Sequence, residues 1–324
     1  MTQHLSPTIL KILDILNDGT VHTGSEIALT LGISRNAVWK VIQKLKKYSV
    51  EIETKHQGYR LPVPLALFDQ KKMNQLLKGV PLKLEVFESI PSTNDYLKTQ
   101  SKLKNNWVCL SEYQSHGRGR LGRSWTSPFG RNIYCSLSVI FTKDICELSG
   151  LSLVVGILVA KALEASNPKL TPQLKWPNDI FINGKKVGGI LIDLMAEAHG
   201  NCTAVISLGL NVNMKDVQAS FMDHSWTSIE HVLEEKLDRN EIAARFIQVL
   251  LKGMETFKER GIEPFLQEWK RYDMLHNKKI TLTTGTISMS GTARGISPEG
   301  LLLLELPDGR INKFSYGDAT LRKD

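Results

Sequence analysis

The chain has 324 residues, 42% of them hydrophobic and 23% charged, with a formal net charge of +8. That is material for two or three cored domains of about 100–200 residues each, ordinary for a globular protein. The positive balance calls for an anionic partner, whether nucleic acid, nucleotide or acidic protein, and does not choose among them. The four cysteines, Cys109, Cys135, Cys146 and Cys202, lack the paired spacing of a zinc or redox site, so no metal site is expected. There is no basic-then-apolar leader, and the longest apolar run, Leu151–Ala160, breaks at Lys161, short of the roughly 18 residues of a membrane span. A soluble, cytoplasmic protein with reduced thiols and no membrane partner is predicted.

Residues 1–64 read as a DNA-binding unit. Ile9, Ile12, Leu13 and Leu16 fall at helical spacing behind Pro7, and Asp18-Gly19 ends that helix. Thr23 and Glu26 form a capping box for a short helix that Gly32 stops. Ser34 caps a third helix with Val38, Val41, Ile42 and Leu45 on its apolar back, and its front shows Arg35, Asn36, Trp39, Lys40, Gln43 and Lys44. This is the helix-turn-helix design, with Ser34, Arg35, Asn36, Trp39, Lys40 and Gln43 as the DNA-contacting set. Basic residues touch phosphate, while Asn and Gln read base edges. Val50–Thr54 and Gly58–Leu61 alternate about a turn and predict a wing carrying Lys55, His56 and Arg60. A helical docking domain with solvated charges is the other reading. Agreement of turn, cap, apolar stripe and basic front favours DNA. Operator binding by such a unit predicts a dimer on a two-fold site. Pro62-Val-Pro64 is a stiff linker, and 65–79 a connecting helix with exposed Lys71-Lys72.

Residues 65–275 form the central region, where strands alternate with occasional helices. Leu84–Phe87, Trp107–Leu110, 132–141, Leu174–Ile182, Lys185–Asp193 and Thr203–Gly209 read as strands, and Asn183-Gly184 as a hairpin turn. Leu148–Ala165 suits a buried helix, Asn240–Gly261 a long one with Ile242, Phe246, Val249, Leu250 and Phe257 inward, and Pro264–Tyr272 a shorter one. Mixed strands and hairpins with helices on one side predict an α+β sheet. Between Gln114 and Thr142 there is no Asp or Glu, while Gly117, Gly119 and Gly122 alternate with Arg118, Arg120 and Arg123. The glycine spacing matches a dinucleotide fingerprint by letter, but Ser124, Ser127, Pro128 and Gly130 follow where that motif needs a helix. A flexible loop that orders around an anion fits better.

Ser92, Thr93 and Asn94 open a helix, where they are either ordinary caps or ligand-holding groups at free backbone N–H positions. There is no Walker lysine loop and no nucleophile elbow. What remains is cationic and amide-rich: Arg118, Arg120, Arg123, Lys175, Lys186, Asn178, Asp179 and Asn211. That set suits a reaction building negative charge on phosphorus or a carboxylate. Lys186, beside Gly188-Gly189, extends into a cleft or is solvated at a hairpin tip, the role expected of Lys185. From Lys278, short strands with glycine turns at regular spacing predict a small barrel over 276–324.

With Ser92-Thr93-Asn94, Gln114, Gly117-Arg-Gly-Arg120, Lys175-Trp-Pro-Asn-Asp179 and Lys186-Val-Gly-Gly-Ile-Leu191 in place, the chain resembles the biotin–protein ligases. The helix-turn-helix narrows this to the bifunctional ligase and biotin-operon repressor type. The resemblance spans essentially the whole chain. It implies an N-terminal winged helix-turn-helix, a central mixed α/β ligase domain similar to class II aminoacyl-tRNA synthetases, and a C-terminal SH3-like β-barrel. It implies that biotin and ATP, with Mg2+, give biotinoyl-5′-AMP and pyrophosphate, and that a lysine of the biotin carboxyl carrier protein of acetyl-CoA carboxylase takes the biotinoyl group as an amide. By that similarity Ser92, Thr93, Asn94, Gln114, Arg118, Gly119, Arg120 and Lys186 hold biotin. Arg118, Arg120, Arg123, Lys175, Asn178, Asn211, Trp226 and Arg322 hold ATP, with Trp226 stacking on adenine from a second loop. Lys186, Arg120, Arg118 and Asp179 carry the chemistry. Repression implies operator DNA and a ligand-promoted homodimer formed through sheet edges near the loop. His116 departs from the usual small residue and Gly188 from the usual alanine; both are mild. A repressor that senses the ligand without catalysis is the alternative, and a lipoate ligase is disfavoured by the helix-turn-helix.

Overall fold

The computed structural model describes residues 3–4, 6–55, 58–100, 105–196, 201–214 and 226–322. After β1 (Gln3–His4), α1 (Pro7–Leu16) starts on its proline, whose missing N–H costs nothing in a first turn. β2 (His22–Thr23) leads into α2 (Gly24–Leu31), which opens with the Thr23–Glu26 capping box. Ser34 accepts from the Ala37 N–H to start α3 (Arg35–Lys47). β3 (Glu53–Lys55) and β4 (Gly58–Arg60) pair antiparallel as the wing, and β4 also pairs with β2. Ile9, Ile12, Leu13, Leu16, Ile27, Val38, Ile42 and Leu45 make the core of this unit, while Val41 is only half-buried. His56, expected on the wing, lies outside the described residues.

The connecting helix is shorter than its sequence suggests. Only α4 (Gln70–Leu76) is helical, capped by Asp69. Upstream, the backbone of 65–69 is bonded sideways instead of to itself. Leu65 exchanges two bonds with the Asn17 side chain, Ala66 O accepts from Arg239, Phe68 N–H donates to Glu112, and Asp69 N–H to Asn240. Groups already satisfied in this way do not form a helical ladder.

The central sheet follows from β5 (Lys83–Ser89), α5 (Thr93–Lys98), β6 (Trp107–Ser111), β7 (Ile133–Phe141), α6 (Leu151–Ser166), β8 (Gln173–Lys175), β9 (Asp179–Ile182), β10 (Lys185–Ala196) and β11 (Cys202–Leu210). Among the described residues it has eight strands in the order β1-β5-β6-β7-β11-β10-β9-β8, antiparallel except for β5 with β6. Asn183 and Gly184, with φ of 51° and 70°, make the β9–β10 turn. After α7 (Ile229–Leu233), the long α8 (Arg239–Arg260) packs on α6, and α9 (Leu266–Tyr272) follows.

Helices were expected on one face only; the structure puts them on both. In β6, Val108 and Leu110 face α6 and α8, while Trp107 and Cys109 face the other way and are covered by α5 with Phe87, Leu97 and Val205. A strand apolar on both faces requires two covers. The segment Ile145–Ser166 has the length and apolarity of a membrane span. Lys161 does not interrupt it, because it turns outward to pair with Glu268. Its apolar surface is spent inside the fold, where Leu153 to Leu163 are largely buried.

The chain ends in β12 (Lys279–Thr284), β13 (Ile287–Ile296), β14 (Leu302–Glu305), β15 (Ile311–Phe314) and β16 (Asp318–Leu321), an antiparallel sheet ordered β15-β14-β13-β12-β16. The two end strands do not pair among the described residues, so what is seen is a five-stranded sheet.

One ion pair joins these parts. Glu112 and Arg239 are fully buried, 2.7 Å apart, and Arg239 also donates to Asn132 O and Ala66 O. Burial pushes the Glu112 carboxyl above its usual range, and Arg239 and the Phe68 N–H pull it back. Arg239→Met should strand a buried carboxylate and cost about 3–5 kcal/mol, read as a lower denaturant midpoint. An unchanged midpoint would show that the pair is not structural.

Candidate active site

The glycine–arginine segment is a hairpin-like loop. Trp125 N–H donates to Gly117 O and Gly119 N–H to Arg123 O, and a single 3-10 turn, Arg120–Gly122, forms its tip. With no helix following, a dinucleotide site is excluded there. The loop covers a cavity of about 320 Å³. Of the site residues expected from the sequence, Ser92, Thr93, Asn94, Gln114, Arg118, Gly119, Arg120, Arg123, Asn178, Asp179, Lys186 and Trp226 line this one cavity.

Its two halves differ chemically. At one end the Thr93 N–H and hydroxyl both donate to Gln114 Oε1 (2.9 and 3.1 Å), and Gln114 Nε2 donates to Ser127. Ser136 bonds Thr93 and Ser207, and Asn94 Nδ2 donates to Ser207 Oγ at 3.0 Å. Only Ser92 is an ordinary cap, accepting from the Asp95 N–H; Thr93 and Asn94 face the network. Among the described residues, Asn94 Oδ1 and Trp125 Nε1 are buried without a partner, an acceptor and a donor left for a ligand. At the other end stand cations. Lys186 Nζ lies 2.6 Å from Asp179 Oδ1 and 5.6 Å above the Trp125 ring. Arg120 donates to Asn178 Oδ1 at 3.0 Å, and Asn178 Nδ2 to Ile190 O, which fixes the amide. Arg118 pairs with Asp95 and Arg123 with Asp318. Lys185 is exposed, as expected.

Three expected residues stand outside the lining. Lys175 lies behind Asp179, 3.7 Å from its carboxylate. Asn211 is buried, donating to Thr227 O and accepting from Asn132. Arg322 is exposed just past β16, its backbone bonded to Lys279 O. The loop before Trp226 lies outside the described residues at 215–225. His116 is exposed, its ring Nδ1 bonds the Ser115 hydroxyl and its backbone N–H donates to Pro91 O.

Trp125, Ser207, Gly209 and Asp318 also line the cavity and were not expected. The Trp125 indole lies on Gly209, where an added Cβ would sit 2.5 Å from its ring, and touches Gly189 as well. A glycine inside a strand signals such close approach, so Gly209 was readable. Gly188, expected to open the cleft wall, instead faces Ile180 and Leu210; only Gly189 lies on the cleft side, because neighbours in a strand point to opposite faces.

A second surface belongs to α3. Ser34, Arg35, Asn36, Trp39 and Lys40 are exposed and Gln43 is half-buried. Lys44 does not join them: it pairs with fully buried Glu88 of β5, which also accepts from the Tyr48 hydroxyl.

Comparisons with known proteins match all three regions. Residues 8–60 match an HTH domain, 86–213 the biotin/lipoate A/B protein ligase family, and 275–322 the biotin protein ligase C-terminal domain. The chain is 36% identical to the bifunctional ligase/repressor BirA of Escherichia coli (strain K12), over 97% of each chain. It is 31% identical to BirA of Bacillus subtilis (strain 168), over 92% of this chain and 93% of that one. The biotin protein ligase of Aquifex aeolicus in complex with biotin and ATP is similar with a TM-score of 0.65 at 26% identity, covering 75% of this chain and 99% of that one.

Gly209→Ala should lift Trp125 from its seat, change the tryptophan emission spectrum, and weaken ligand binding about tenfold, or ~1.4 kcal/mol. Wild-type emission and affinity would disprove the seat.

Proposed function

The chain belongs to the family of bifunctional biotin ligase/repressors, and from that premise we propose how its residues divide the work. It is an ATP-dependent biotin–[acetyl-CoA-carboxylase] ligase and a transcriptional repressor. The observation that carries the site assignment is the two-ended cavity. The hydroxyl and amide network of Ser92, Thr93, Asn94 and Gln114 suits an uncharged polar head with both N–H and C=O groups, which is what the ureido ring of biotin offers. The cations at the other end suit a carboxylate meeting a phosphate.

Attack of the biotin carboxylate on the α-phosphate of ATP forms the mixed anhydride biotinoyl-5′-AMP and expels pyrophosphate, and it brings two anions together. Lys186, Arg118 and Arg120 offset their repulsion, so the barrier falls by positioning and field without a covalent enzyme intermediate. Asp179, with Oδ1 2.6 Å from Lys186 Nζ, aims the ammonium until the substrate carboxylate takes its place. Gly119 lets the loop backbone approach biotin. Arg123, Asn178, Trp226 and Arg322 receive the nucleotide, Lys175 adds charge from behind Asp179, and Asn211 acts through Thr227. Mg2+ enters as the counter-ion of the triphosphate substrate. The mixed anhydride hydrolyses readily, so the loop closes over it and excludes water until the lysine of a biotin carboxyl carrier protein attacks.

For repression, Ser34, Arg35, Asn36, Trp39, Lys40 and Gln43 meet operator DNA. Dimerisation joins two such helices on a two-fold site. The β9–β10 pairing ends at Gly189, so among the described residues Leu191–Ala196 of β10 pairs as a strand only with β11 and is open for strand addition beside the loop. Four free cysteines suit a cytoplasmic location. We divide the chain at 1–64, 65–275 and 276–324.

The full chain incubated with biotin, MgATP and a carrier domain should form amide-linked biotin, and Lys186→Ala and Arg120→Ala should each lower its rate by at least about 100-fold. Wild-type rates in both would remove these residues from the reaction. No transfer by the unmodified chain would leave a sensor without catalysis. In DNA titrations Lys40→Ala should weaken binding to all sequences and lower the salt slope by about one. Sequence-selective loss would assign Lys40 to bases.

A further inference from the structure

The lid has no acid of its own from Gln114 to Thr142, yet its arginines do not stand alone. Arg118 pairs with Asp95 of α5 and lies 3.8 Å from Asp193 of β10. Lys98 bridges those two acids, at 2.8 Å from Asp193 and 3.7 Å from Asp95. At the far side of the tip, Arg123 pairs with Asp318. Asp318 is the first residue of β16, fixed by antiparallel pairing to Thr283, and it belongs to a different domain from the lid. The lid is therefore pegged at two points by acids on regular elements, one in the central domain and one in the C-terminal sheet.

From this we propose that Asp95 and Asp318 are positioning residues of the ligase reaction. They hold the arginine lid shut and so set how long biotinoyl-AMP remains bound before a carrier lysine arrives. The proposal rests on the ligase reading above. The physical case is one of charge. Three arginines within six residues repel one another, and a lid with no internal acid closes only where outside carboxylates compensate. Each pair is partly exposed, with Arg118 and Asp95 both 42% accessible and Arg123 and Asp318 60% and 32% accessible, so each is individually weak and screened by salt. Two weak pegs that must break together suit a lid that has to hold an intermediate and still open. Neither acid touches the reacting atoms: their effect runs through Arg118 and Arg123.

The test loads the full-length protein with labelled biotin and MgATP, without carrier, and follows release of biotinoyl-AMP after dilution into unlabelled ligand at several salt concentrations. Asp95→Asn and Asp318→Asn should each release the intermediate about three- to tenfold faster, the double variant faster still, and Asp95→Glu and Asp318→Glu should restore slow release. Raising salt should speed release from the unmodified protein and have progressively less effect as pegs are removed. Unchanged release in both asparagine variants would overturn the proposal. So would faster release that keeps the full salt dependence, since that marks a structural defect. Failure of the unmodified protein to form any biotinoyl-AMP would instead sink the ligase reading itself.

Discussion

The pairing of Glu112 with Arg239 is the interaction on which the placement of everything else depends. Glu112 follows β6 and stands two residues before Gln114, at the root of the lid, and its backbone oxygen accepts from Gly130 N–H where the lid returns. One carboxylate oxygen takes the Phe68 N–H from the interdomain segment, and the other takes Arg239 at the start of α8. Neighbouring Arg131 works in the same way: it is buried, donates to Val63 O and Pro64 O, and has its pKa pushed down to about 10 by that burial, still charged at neutral pH. The linker is thus held by the same side chains that frame both ends of the lid. Two buried charges would be costly without such dense hydrogen bonding.

This wiring also brings the DNA-binding unit to the ligand cavity. Tyr48, the residue that ends α3, stacks on Phe129 at 5.3 Å with the rings 7° from parallel, and Phe129 belongs to the core of the N-terminal unit although it lies in the lid's return segment. Glu88 accepts from Tyr48 and pairs with Lys44, four residues upstream of the cavity residue Ser92. The last turn of α3 therefore rests on both walls from which Ser92, Thr93, Asn94 and Gln114 line the cavity. Its first turns, which carry Arg35 and Asn36, remain exposed.

What could be read from the sequence was local. The Thr23–Glu26 box, the Ser34 cap, the Asn183-Gly184 turn and the apolar stripes of α1, α3 and α8 depend on residues within a few positions of one another. The cavity residues were legible through family motifs, and the structure brings most of them to one place. The illegible features were non-local. Lys44 looks like part of a basic front until Glu88 is placed beside it, and residues 65–69 look helical until four distant side chains claim their backbone. Asp318 is 195 residues from Arg123, so no spacing rule pairs them. The seat of Trp125 needed two strands in register before Gly189 and Gly209 became its floor.

The strand order has a consequence for stoichiometry. One margin of the eight-stranded sheet is closed by β1, only two residues long, and the other by β8, where Leu174 O accepts from Met274 N–H at 3.0 Å. Among the described residues, Leu191–Ala196 of β10 has no strand partner on the side away from β11 and lies in the interior of the strand order, and at the β1 margin Lys83–Val86 of β5 also has none on that side. A surface that can add a strand at both margins propagates into a fibre, whereas one with a single self-complementary opening is satisfied by one copy related by a two-fold axis. Strand addition at Leu191–Ala196 by a second copy on a two-fold axis would use up that stretch in both copies and stop at two, the number a palindromic operator accepts.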